Sequence, residues 1–136
     1  SEDISKKEFL KNYEEILKTR KGTKKKQGIL GSQKDREKCD FTGVYAIFNN
    51  DELVYIGSGY TPQKHNIKKR LAQYVSKKDT GNTLLKKVIN NGLALNNAEA
   101  IKLIEQFEFI AFEHHDLENE LIHETQLPWN KKGNRT

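Results

Sequence analysis

An α+β domain is the expectation for these 136 residues, and four stretches carry it. Gly43 to Gly57, GVYAIFNNDELVYIG, reads as two strand arms around the polar tetrapeptide Asn49-Asn50-Asp51-Glu52. Downstream, NIKKRLAQYVSKK and NTLLKKVINNG space their apolar residues at helical intervals. IEQFEFIAFE then returns to a run of aromatic and β-branched residues, the mark of a strand. These segments predict a small mixed or antiparallel three-stranded sheet flanked by helices, ordered β-β-α-α-β-α, with a further helix in front.

The elements follow in order. Ile4, Phe9, Leu10, Tyr13, Ile16 and Leu17 recur near 3.6-residue spacing, so residues 4–18 form an amphipathic helix. Periodicity is lost from Arg20 to Asp40 among Gly, Lys, Ser and Gln, which reads as a linker. The expected division is therefore an N-terminal helix and basic linker, 1–40, followed by one domain, 41–136. Strands are expected over Thr42–Phe48 and Leu53–Ile56. Thr61-Pro62 offers a helix start, with Thr as cap and Pro at the first position, and the helix buries Ile67, Leu71 and Val75. Gly92 ends the next helix, and Asn97 to Leu103 forms a short third. Asp116 caps a last helix, LENELIHETQ, which Pro128 terminates.

Composition narrows the function classes. Hydrophobic residues make up 35% of the chain, enough for a modest core, and no apolar run has the length of a membrane span. One cysteine, Cys39, excludes an internal disulfide and a cysteine-built zinc site, which favours a reducing, cytoplasmic setting. The net charge of +5 is concentrated: residues 1–40 carry twelve Lys/Arg against eight Asp/Glu, whereas the remainder is nearly balanced. KTRKGTKKK, Lys18 to Lys26, holds six cations and no acid. Such a run is either a solvated linker or a polyanion contact that gains affinity by releasing counterions, and a mobile basic segment that orders on DNA is both.

Several polar residues could share one cleft. Tyr45 and Tyr55 lie on the two hairpin arms, while Arg70 and Tyr74 are four apart and project from the same helix face. Glu118 falls in the first turn of the last helix, and Asn130 stands twelve residues on. Each has an ordinary structural role taken singly. Together, GVY, YIG, KKRLAQY, ENELI and PWN, in this order, resemble the GIY-YIG nuclease superfamily from about Phe41 to Lys132. NDELVYIG and PWN are most similar to its phage endonuclease II-like and small restriction-type branch.

The resemblance implies a DNA endonuclease that hydrolyses phosphodiester bonds with Mg2+ or Mn2+. It implies Glu118 as the metal ligand, Arg70 as the phosphate-binding cation, and Tyr45 as the base for water, with Tyr55 bonded to the same water or phosphate. Tyr74 stands where many members carry His, so the base is either Tyr45 or a relay through Tyr74. Gly57 and Asn130 are supporting residues. Lys21, Lys24, Lys25, Lys26, Lys64, Lys68 and Lys69 are the expected DNA contacts. Gly57 to Arg70 spans thirteen positions, more than compact members have, and the extra residues include Tyr60, Lys64 and His65. Glu120 and Glu124 are rival ligands to Glu118, and His114, His115 and His123 lack the spacing of a zinc motif. A DNA-binding module without turnover and a structure-specific repair nuclease are the alternatives. Cutting both strands calls for a homodimer, a higher oligomer or sequential nicking.

The tyrosine pair is also a statement about register. Pairing Phe48 with Leu53 in an unbroken ladder would set Ala46 opposite Tyr55 and point the tyrosines apart. Pairing Phe48 with Glu52 around a three-residue loop sets Tyr45 opposite Tyr55. The expectation is this second register or another of the same parity.

Overall fold

The computed structural model describes residues 5–11, 24–59, 66–76 and 82–113. Helix α1 (residues 6–11) is followed by β1 (Lys25–Ile29), α2 (Gln33–Glu37), β2 (Gly43–Asn49) and β3 (Glu52–Gly59). Then come α3 (Ile67–Tyr74), α4 (Thr83–Asn90), α5 (Asn97–Glu105) and β4 (Glu108–Glu113). The strands form one antiparallel sheet in the order β1-β4-β2-β3. The α+β expectation holds, but the sheet has four strands rather than three. Among the described residues no helix is long and apolar enough to cross a membrane.

The added strand is β1, which lies inside the stretch expected to be a linker. Its Lys25-Lys26-Gln27-Gly28-Ile29 sequence has no buried residue, and the strand sits at the sheet edge and pairs with β4 alone. Asp35 of α2 folds back over it: Asp35 Oδ2 accepts from the Ile29 amide at 2.9 Å. A Cβ at Gly28 would come within 2.6 Å of Asp35 Cγ, so only glycine lets α2 settle there.

Both faces of the sheet are covered. Tyr45, Ile47, Val54, Phe109 and Ala111 face a core completed by Leu30, Ile67, Leu71, Leu84, Val88 and Ile104. Val44, Ala46, Phe48, Leu53, Ile56, Ile110 and Phe112 face the opposite way. Phe9 of α1 packs onto that second face, edge-on to Phe48 with ring centroids 5.6 Å apart. Ser5 starts α1 by accepting from the Glu8 amide at 3.1 Å. The Lys6 amide donates to the Asp51 carbonyl at 2.8 Å and so docks the helix on the hairpin tip.

Asparagine begins three helices: the Asn66, Asn82 and Asn96 side chains accept from the Lys69, Leu85 and Glu99 amides. Helix α3 therefore starts after Asn66, while Thr61-Pro62 lies outside the described residues. It buries Ile67, Leu71 and Tyr74; Val75, expected in the core, is its half-buried C-cap. Gly92 closes α4 at φ 76, as its position predicts. Helix α5 runs two residues beyond Leu103, and β4 begins at Glu108, so Ile104 and Glu105 are helical instead of extended. The expected last helix and Pro128 lie outside the described residues.

Candidate active site

The hairpin turns through two residues, Asn50 and Asp51, with Asn49 paired to Glu52 and Asn50 at φ 57. Asparagine accepts that left-handed conformation more readily than most residues. Phe48 pairs with Leu53, so the expected Phe48–Glu52 pairing and three-residue loop are not formed. In an unbroken ladder this register would separate the tyrosines. It does not, because the register shifts between Ile47 and Phe48: Ile47 pairs with Tyr55, and Val54 is the extra residue of a β-bulge. Leu53 lies on the Phe48 face, whereas Val54 and Tyr55 both lie on the Tyr45 face. The expected parity is thus reached by a bulge, and Tyr45 stands opposite Gly57 rather than Tyr55.

Gly57 is what makes room for Tyr45. A Cβ there would land on the Tyr45 hydroxyl, 2.6 Å from its Cζ and 3.0 Å from Tyr55 Cε2. The Tyr45 ring occupies the space beside Gly57 on the neighbouring strand and is buried. Tyr74 descends from the last turn of α3 to meet it. The three rings form a triangle, with centroids 6.5 Å apart for Tyr45–Tyr55 and 6.0 Å for both pairs with Tyr74. The Tyr45 and Tyr74 hydroxyls are hydrogen-bonded to each other.

Burial pushes the Tyr74 phenol well above its ordinary range; Tyr45 and Tyr55 push the same way, and the Arg70 guanidinium opposes them. Tyr74 is therefore a neutral phenol at any physiological pH. Arg70, one helical turn earlier and half-buried, donates from Nε to the Ser58 carbonyl at 3.3 Å, which holds the guanidinium beside the Tyr55–Gly57 segment. The structure thus brings Tyr45, Tyr55, Gly57, Arg70 and Tyr74 together.

The expected DNA contacts divide. Lys24, Lys25, Lys26 and Lys69 are exposed, and Lys68 is half-buried. Lys26 pairs with Ala111, which pairs with Tyr45, which pairs with Gly57, so one transverse row joins the basic strand to the tyrosines. Lys68 and Lys69 lie in the first turn of α3. Lys21, Lys64, Glu118 and Asn130 lie outside the described residues, as do Tyr60, His65, Glu120, Glu124 and the three histidines His114, His115 and His123.

Phenols and a guanidinium do not hold a hard cation, and among the described residues no cluster of three His, Cys, Asp or Glu exists to do so. A metal at this site needs a carboxylate from elsewhere in the chain. Strand β4 ends at Glu113, paired with Gly43 two residues from Tyr45, so the chain leaves the sheet at the tyrosine end. Sequence reading passed over Ser58, whose contribution is a carbonyl, and Asn66 and Asn82, the buried polar residues among those described. Their signal was an asparagine ahead of each helical period.

Comparison with known families finds one match: a model described as the GIY-YIG catalytic domain covers residues 41–132. No curated protein and no solved structure matches the chain significantly.

Proposed function

Because the chain belongs to the GIY-YIG catalytic domain family, whose members are typically nucleases, we propose that it is a metal-dependent DNA endonuclease hydrolysing phosphodiester bonds. The observation that carries this reading is the tyrosine triangle over Gly57 with Arg70 alongside.

Hydrolysis needs a deprotonated water, a neutralised phosphate and a stabilised leaving oxygen. Tyr45 is the base. Tyr74, whose phenol burial pushes up, is hydrogen-bonded to it and offers its O–H to negative charge developing on Tyr45 Oη. A relay through Tyr74 would use the same hydrogen bond. Tyr55 orients the water or phosphate, and Arg70 supplies planar donors and charge to the phosphate. Glu118, five residues beyond the end of β4, is the residue that would hold Mg2+ or Mn2+, which when bound supplies Lewis-acid stabilisation of the leaving oxygen. Asn130 secures the segment after it.

DNA runs along the lysines that flank this end of the sheet, with Lys24, Lys25, Lys26, Lys68 and Lys69 taking phosphates and Lys21 and Lys64 extending the contact. NDELVYIG and PWN favour a phage or restriction role, in the cytoplasm of a bacterial or phage-infected cell, and cutting both strands would take a homodimer, a higher oligomer or sequential nicking.

Supercoiled plasmid incubated with the protein and Mg2+ should be nicked or linearised, and EDTA should stop the reaction. Glu118→Ala should abolish cleavage and keep DNA retention, and Arg70→Ala should lose cleavage too. No cutting of any DNA substrate, with binding intact, would leave a non-catalytic binding module.

A further inference from the structure

Among the described residues the two buried polar side chains are Asn66 and Asn82, and they stand at opposite ends of one helix, α3. Asn66 begins it: Oδ1 accepts from the Lys69 amide at 3.0 Å, and Nδ2 donates to Asp40 Oδ1 at 2.6 Å. Asn82 holds its end. Its Oδ1 caps α4 by accepting from the Leu85 amide at 3.1 Å, while its Nδ2 donates to the carbonyl of Tyr74 at 2.8 Å.

Capping alone does not demand this arrangement. Asn96 caps α5 with the same geometry at 2.9 Å and stays exposed. The amide of Asn82 has a second duty, to accept the burden of one carbonyl in the last turn of α3 that the helix itself cannot satisfy. The Val75 and Ser76 amides already serve the Ala72 and Gln73 carbonyls, and Asn82 serves Tyr74. We infer that Asn82 is a positioning residue of the active site: by gripping the Tyr74 backbone it sets how far the Tyr74 hydroxyl reaches toward Tyr45.

The inference rests on the nuclease reading for its kinetic consequence and on the hydrogen bond alone for its structural one. Two side-chain torsions separate the Tyr74 backbone from its hydroxyl, so a shift at the carbonyl is passed on to the contact with Tyr45. Tyr74 meets the charge on Tyr45 that appears during reaction, so misplacing it lowers turnover more than DNA affinity.

Asn82→Asp separates the two duties, since a carboxylate still caps α4 but cannot donate to a carbonyl. Expected is a fall in kcat on the order of tenfold to a hundredfold, little change in KM for DNA, and shifted ring NMR resonances of Tyr45 and Tyr74. Asn96→Asp, the matching change at a cap that touches no tyrosine, should leave all three unmoved. An unchanged kcat, or unmoved Tyr45 and Tyr74 resonances, would overturn the assignment. If wild-type protein cleaves no DNA, the nuclease reading fails, and the ring resonances alone decide the positioning role. Should Asn82→Asp not fold, Asn82→Ser keeps an oxygen for the cap and removes the amide. Slow exchange of the Asn82 side-chain amide protons in wild-type protein is the independent check, and fast exchange would also overturn it.

Discussion

Tyr45 and Gly57 are one structural unit in two pieces of sequence. The ring occupies the volume a side chain on β3 would take, so Gly57→Ala must push Tyr45 off its hydrogen bond with Tyr74. The expected result is about 1–3 kcal/mol of destabilisation together with loss of cleavage, read by denaturant unfolding and plasmid assay; a stable, fully active variant would refute the close packing. Cys39 shows burial acting on another acid. The thiol is pushed from 9.0 up to about 12, mainly by burial. Between those values the unfolded chain has released a proton that the folded chain still holds, so stability falls as pH rises. Tyr74, raised in the same sense, adds to the loss above the ordinary tyrosine range. Denaturation midpoints measured up the alkaline range should therefore drop less steeply in Cys39→Ala than in wild type.

At the level of elements, the bulge at Val54 carries the site's geometry. Below it the ladder runs Asn49–Glu52 and Phe48–Leu53; above it, from Ile47–Tyr55 onward, the pairing is offset by one residue. Deleting Val54 should join these two ladders without turning any other side chain over. The predicted variant folds, loses about 1.5–3 kcal/mol of Val burial, and keeps NOE contacts between the Tyr45 and Tyr55 rings. Loss of those contacts in a folded variant would mean that the bulge does more than absorb one residue. The common face of the tyrosines was legible in the sequence, but its cause was not. Nothing in Leu53-Val54-Tyr55 marks a bulge, since all three residues suit a regular strand. Helix α3 was legible in its Ile67 and Leu71 face, and Arg70 and Tyr74 sit one turn apart as expected. Tyr74 enters the core because it continues the Ile67 and Leu71 face by one turn, whereas Val75 is the half-buried C-cap.

For the molecule as a whole, the strand that escaped the sequence reading is the one with least reason to look like a strand. Lys25, Lys26 and Gln27 are exposed, and their pairing depends on β4, some eighty residues away in the chain. Lysines on an open edge also discourage another sheet from adding to it, so one cluster of charge protects the fold and faces the proposed DNA. The sheet order has a further consequence, in time. β4 is the last of the four strands in the sequence, yet it lies between β1 and β2. During synthesis at roughly 5–20 residues per second, β1 leaves the ribosome several seconds before its partner exists. Meanwhile the β2–β3 hairpin waits with one edge of β2 unpaired. Local helices can form as they emerge, but the sheet is completed late, when residues 108–113 add to the open edge of β2 and give β1 its partner.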